Sequence, residues 1–174
     1  MTRNVLLSLC LVLVAMSAMG ADALKVGMSA DYPPLHFSED GKLHGIEVDN
    51  VRTVSEILSR PMRIEVMPFD DLIPALEQGR IDVIMSGFSV TAERSQRVQF
   101  TDSYLRVGQM AIMHKSKVGR FSQPWAVYRE GIRIGVEPGT TGAAFAEREL
   151  ADAVVRTYPD PTSAFNGLRR DEID

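Results

Sequence analysis

The chain is poor in cysteine, histidine and clustered positive charge, and each scarcity removes a class of protein. Its one cysteine, Cys10, lies in an N-terminal apolar run, so no disulfide framework can hold the remainder together. Its three histidines, His36, His44 and His114, are scattered without the short spacing of metal ligands, and no metal site is expected. Lysine and arginine number 19 against 23 acidic residues, a net charge of −4, with no basic stripe along any helix face. Nucleic acid is therefore not an expected partner. Low-complexity segments and linker-like stretches are missing as well. What remains is 45% hydrophobic and 24% charged, the balance of a soluble globular protein, with enough residues for a sizeable core.

The N-terminus reads as an export signal. Arg3 supplies a positive charge, and residues 5–19 are apolar or small apart from Ser8, Cys10 and Ser17. That run is short for a bilayer span. Ala21-Asp22-Ala23 then forms a small-residue cleavage site before Leu24. Cys10 follows Leu9 inside the apolar run, which is no place for lipidation. Residues 1–23 are thus expected to be a signal peptide, and the mature chain to be periplasmic.

From Leu24 onward, strand-like and helix-like patterns alternate. Leu24 to Met28 reads as a strand, followed by a Pro-interrupted loop through Tyr32-Pro33-Pro34. Val51, Val54, Ile57 and Leu58 fall at helical spacing within residues 46–58, and Pro61 closes that helix. Strands are expected at 62–67 and 81–85, with a helix at 70–78 capped by its aspartates and ended by Gly79. A further apolar run covers 108–114. The order repeats with strands at 132–136 and 154–157 and helices at 142–150 and 162–168. Phe121, Trp125 and Tyr128, between the two halves, are expected to pack inside. Such alternation predicts an α/β fold with mostly parallel sheets, ligands lying at the carboxyl ends of the strands.

The two halves also rhyme in detail. Ala75-Leu76 leads through Gly79-Arg80 to Ile81-Asp82 and a strand; Ala164-Phe165 leads through Arg169-Arg170 to Ile173-Asp174. No apolar strand follows Asp174, so the second lobe reads as incomplete and the chain as a piece of a longer two-lobed protein, in preference to a natural short variant. The most informative junction is Ser86-Gly87-Phe88-Ser89-Val90-Thr91-Ala92-Glu93-Arg94, where a strand meets a short helix. Free amides, hydroxyls and a guanidinium there suit a carboxylate. Taken alone, the junction is equally an ordinary turn, with Thr91 as N-cap and Arg94 in water.

Six motifs in order carry a family resemblance. They are Asp31-Tyr32-Pro33-Pro34, Gly45-Ile46-Glu47-Val48-Asp49, residues 69–76, Gly79-Arg80-Ile81-Asp82, Thr91-Ala92-Glu93-Arg94 and Phe100-Thr101-Asp102-Ser103-Tyr104. The chain resembles the periplasmic amino-acid-binding proteins of bacterial uptake transporters, from Leu24 to Asp174. The resemblance implies the two-lobed periplasmic-binding-protein architecture, with lobe 1 at 24–106, and the hinge crossing and a partial lobe 2 at 107–174. It implies that Arg94 grips a ligand α-carboxylate, aided by the Ser89 amide and hydroxyl, the Gly87 backbone and Thr141. Phe69 and Tyr32 become the aromatic walls, and Glu137 falls where side-chain selectivity varies. Glu93 and Asp49 read as structural.

Two departures stand out. Ser29 occupies a position that is often acidic, and the aspartate that usually holds the α-ammonium has no counterpart up to Asp174, so binding by this chain is expected to be weak. The implied protein is a non-enzymatic, monomeric amino-acid-binding component of a transporter, without cofactor or metal, that serves a membrane permease. Its rivals are an enzyme on the same scaffold, such as an aromatic-precursor dehydratase or a peptidoglycan lyase module, and the ligand-sensing domain of a membrane receptor. Export predicts a mature N-terminus at Leu24 or within a few residues of it, checked by N-terminal sequencing of the periplasmic protein; a membrane-bound product that retains Met1 contradicts it.

Overall fold

The structure, a computed structural model, describes residues 22–174. The expected signal peptide, except for Asp22 and Ala23, lies outside the described residues. No helix among them is long and apolar enough to cross a membrane.

Strand β1 (Leu24–Met28) is the centre of the first half. Its residues alternate between two faces, as the pleat requires. Val26 and Met28 are fully buried on one face, against Val51 of helix α1 (Ile46–Leu58). The other face meets Leu72, Ala75 and Ile81. Here Gly27 is required: a Cβ at that position would overlap Ile81 and touch Leu72 at 3.0 Å. β1 pairs in parallel with β5 (Met62–Val66) on one side and β6 (Val83–Ile84) on the other. Helix α2 (Leu72–Glu77) has six residues, too few to persist alone. Burial of Leu72 fastens it to the sheet, a contribution of about 1.5–3 kcal/mol.

Between β1 and α1 lie three short antiparallel strands, β2 (Asp31–Tyr32), β3 (His36–Glu39) and β4 (Lys42–His44), in the order β2-β3-β4. Where a loop is expected, the chain thus turns back twice; runs of two to four residues show no alternation to read. Other expectations also shift. Asp71 makes no side-chain cap to α2, which is entered through a 3-10 turn at Phe69–Asp71. Ile57 and Leu58 stay exposed, so α1 buries only the first part of its apolar stripe. Trp125 is 63% exposed and Tyr128 is exposed too; in their 3-10 turn the buried residue is Ala126. The apolar run 108–114 forms neither strand nor helix, and Met110 and Ile112 face solvent.

The second half repeats the first. β7 (Arg133–Val136) pairs in parallel with β8 (Val154–Thr157), and α4 (Thr141–Glu149) and α5 (Pro161–Arg169) follow β7 and β8. A four-residue helix, α3 (Ala92–Ser95), precedes the crossing. The rhyme of Ile81-Asp82 with Ile173-Asp174 is structural. The Lys25 amide donates to Asp82 Oδ2 at 2.8 Å, and the Asp82 amide returns to the Lys25 carbonyl at 2.8 Å. In the second half the Arg133 amide donates to Asp174 Oδ2 at 3.0 Å, and the Asp174 amide to the Arg133 carbonyl at 2.8 Å. Ile173 sits over Gly135 as Ile81 sits over Gly27.

The turn into α1 yields a stability prediction. Gly45 has φ +122°, and a Cβ there would strike the Leu35 carbonyl, whereas Gly79 has φ +67° and open space around it. Backbone cannot swing aside as a side-chain end can. Gly45→Ala should lose more than the about 1–3 kcal/mol of a strained backbone conformation alone. Gly79→Ala should lose about 1–2 kcal/mol. Urea denaturation of the two variants checks the order.

Candidate functional site

Arg94 is the organising side chain. Thr91 caps α3, its hydroxyl accepting from the Arg94 amide at 3.1 Å, which directs the arginine inward. Only 8% of Arg94 is exposed. The guanidinium carbon lies 4.0 Å from the centre of the Phe88 ring and 5.5 Å from that of Phe69. Those rings stack with centroids 5.0 Å apart, and Phe88 continues to Phe100 at 6.4 Å. Nη1 donates to the Ser89 carbonyl at 2.7 Å and Nη2 to the Gly139 carbonyl at 2.8 Å. The second bond ties the first half to the second. Gly139 makes this approach possible, since a Cβ there would press on Asp70 at 3.0 Å.

Burial lowers the pKa of Arg94, and Glu93 beside it acts in the opposite sense. The group nevertheless stays charged, as arginine does in proteins. Among the described residues it has no carboxylate partner in an ion pair. A guanidinium with spare N–H groups, backed by aromatic faces and lacking a counter-ion, is built to receive an anion.

The other sequence-predicted residues divide. Phe69, Ser89 and Arg94 are brought together. Thr141 is at the start of α4, one residue after the cap Thr140, and its hydroxyl accepts from Gln109. Gly87, at φ +57°, turns toward Leu35 and His36, and its amide donates to Glu47. It is not the free amide expected of the turn. Tyr32 is 52% exposed, with its ring 5.9 Å from that of His36. Among the described residues, no hydrogen bond or ring contact joins Tyr32 or Gly87 to Arg94. Ser29 is buried, its amide donating to the Ser86 hydroxyl at 3.0 Å.

Sequence reasoning missed Phe88, which lies in the Ser86–Arg94 junction but whose ring could not be placed. It also missed an acidic wall. The Glu137 carboxyl is pushed up to about 7, first by burial and then by Asp31, Asp160 and Asp70. Asp31 is raised as well, mainly by burial and further by Asp160, against the lowering effects of Ser29 and His36. Glu137 Oε1 and Asp31 Oδ1 are both buried without a hydrogen-bond partner among the described residues. Asp160 caps α5 by accepting from the Ser163 amide at 2.7 Å. These carboxylates come from both halves, and only the folded chain puts them side by side.

A family model for the bacterial extracellular solute-binding proteins, family 3, matches residues 24–171, and the chain belongs to that family. The ABC transporter arginine-binding protein 1 of Escherichia coli (strain K12) is 27% identical, covering 99% of this chain and 69% of its own length. Cyclohexadienyl dehydratase of Pseudomonas aeruginosa is 29% identical over 83% of this chain and 54% of its own. A solved structure of a mutant ArgBP from T. maritima superposes with a TM-score of 0.81 at 35% identity, covering 87% of this chain and 66% of that one. The chain thus spans between about half and two thirds of the lengths of these proteins. The fold is that of the two-lobed periplasmic binding proteins, in α/β form with parallel sheets.

The acidic wall sets a pH dependence. Glu137 holds its proton more tightly in the folded chain than at the ordinary 4.5, so the stability it contributes is full below about 4.5 and is lost as pH rises through about 7. Glu137→Gln should therefore gain on the natural chain as pH is raised from about 5 to about 8, read as the difference in melting temperature across that range.

Proposed function

We propose that the chain is an extracytoplasmic solute-binding component that takes an amino acid between its halves, with the α-carboxylate on Arg94. The observation that carries this reading is the buried guanidinium, bonded to carbonyls of both halves and without a carboxylate partner among the described residues. Ser89 lies beside it, and the amides of Ser89 and Thr141 are the further contacts proposed for the ligand main chain. Phe69, with Phe88, and Tyr32 form the apolar flanks. A hinge near residues 104–108 lets the lobes, 24–106 and 107–174, close on the ligand.

The acidic wall supports a cationic ligand side chain. Asp31 and Glu137 each hold a buried oxygen without a partner, and a guanidinium or ammonium supplies both hydrogen bonds and charge. Relatives named for arginine agree with that choice. In this reading the protein works in the periplasm as a monomer, hands its solute to a membrane permease, and needs neither cofactor nor metal.

A second reading is favoured by one observation. A buried carboxyl whose pKa is pushed up to about 7 suits a general acid, and one relative is a dehydratase. Glu137 would then protonate a departing hydroxyl while Arg94 holds a substrate carboxylate.

One set of experiments separates them. Titration of the isotope-labelled protein with L-arginine should shift the resonances of Ser89, Arg94 and residues 139–141, and L-glutamate should do so far less. Arg94→Ala should weaken L-arginine by about 2–5 kcal/mol, the loss expected when a buried charged pair is broken from one side. Shifts that survive Arg94→Ala contradict the binding reading. Aromatic product from a cyclohexadienyl carboxylate, abolished by Glu137→Gln, would establish the enzyme instead.

A further inference from the structure

Glu47 is a carboxylate with 1% of its surface exposed, in the first turn of α1. Its Oε1 accepts from two donors, the Gly87 amide at 3.3 Å and the Tyr104 hydroxyl. Its Oε2 is buried and has no partner among the described residues. Its own amide donates to the Leu35 carbonyl at 2.9 Å, which fixes where the side chain starts. For folding alone this is an expensive choice. A buried carboxylate with one oxygen unsatisfied costs more than an apolar side chain of similar size. An orphaned polar atom of this kind calls for a reason outside packing.

The two donors show what the reason is. Gly87 opens the loop whose next members are Phe88, beneath Arg94, and Ser89, whose carbonyl holds Arg94. Tyr104 lies within the stretch without helix or strand that follows Ser95 and leads to the second half. That stretch is otherwise exposed at Leu105, Val107 and Met110, and the Tyr104 ring is itself largely exposed. Its hydroxyl, however, reaches inward. Burial and the hydrogen bond to Glu47 both raise the Tyr104 phenol above its ordinary range. A charged acceptor is the group able to hold two donors from separate segments on one atom.

We infer that Glu47 is a positioning residue that couples the anion-gripping loop at Gly87 to the departing chain at Tyr104. It touches no ligand. It sets the loop on which Arg94 and Ser89 depend, and it makes the conformation of the crossing felt at that loop. Its effect on affinity rests on the amino-acid-binding reading; the coupling itself does not.

Tyr104→Phe removes one hydroxyl and leaves the packing, so it tests the coupling with little risk to the fold. Hydrogen exchange of the Gly87 amide should become about tenfold faster in Tyr104→Phe, the loss of a hydrogen bond to a charged group being worth that much or more. It should become faster still in Glu47→Gln. L-arginine should bind about tenfold more weakly to each variant, and the double variant should be no worse than Glu47→Gln, because both act through one oxygen. Unchanged Gly87 exchange in a folded Tyr104→Phe overturns the coupling, as do losses that simply add. If the natural chain shows no response to L-arginine, the binding reading fails, and the exchange comparison alone then decides the role of Glu47.

Discussion

A positive charge, that of Arg94, is buried in this protein with no ion-pair partner among the described residues. Burial of a guanidinium is unfavourable unless its donors are used and its faces covered. The surroundings of Arg94 meet those demands one by one. Phe88 covers a face, Phe69 stands beside it, Thr91 turns the side chain inward, and carbonyls from two halves of the chain take two of its donors. The approach of the second half follows, since the Gly139 carbonyl reaches Arg94 only because no side chain stands between it and Asp70. What looks like a lone arginine on a short helix is the joint at which the molecule meets itself.

Across the same junction the charges are of opposite kind and equally unbalanced. Burial, and then the neighbouring Asp31, Asp160 and Asp70, raise the proton affinity of Glu137, and among the described residues its Oε1 has no hydrogen-bond partner. Arg94 thus has no ion-pair partner among the described residues, and Asp31 and Glu137 each have a buried oxygen with no hydrogen-bond partner among them. An amino acid with a basic side chain carries both complements, separated by an apolar stem suited to aromatic neighbours. The amino-acid-binding reading proposed above rests on this pairing of demands.

Much of the scaffold was legible in the sequence because it rests on periodicity. Helix α1 occupies the expected 46–58, and β8 the expected 154–157. The helix is long enough for local pattern to decide, and β8 is rich in β-branched residues that favour a strand. The three strands between 31 and 44 were not legible, since runs of two to four residues broken by turns carry no readable alternation, and their pairing comes from neighbours that those turns bring close. Trp125 shows the converse: large apolar size predicts burial, yet its short 3-10 turn puts Ala126 inside. At the site, Arg94 could be singled out by its chemistry and its motif. The Gly139 carbonyl, the Phe88 platform and the acidic wall could not, because each exists only where segments distant in sequence converge. Glu47 lay within a quoted motif, but nothing local tells a buried helical glutamate from a solvated one.

The paired Ile–Asp elements have a consequence for how the chain finds its alignment. Parallel strands have no tight turn to set which residue faces which, and a slip by one position exchanges the two faces. At Ile81-Asp82 and again at Ile173-Asp174, the apolar residue fits only over a glycine and the acidic one only against a main-chain amide. Moved by one residue, the carboxylate would press into the space above Gly27 and the isoleucine would point to water. Each pair therefore works as a two-toothed key that rejects the neighbouring alignments, and each of the two parallel sheets carries one.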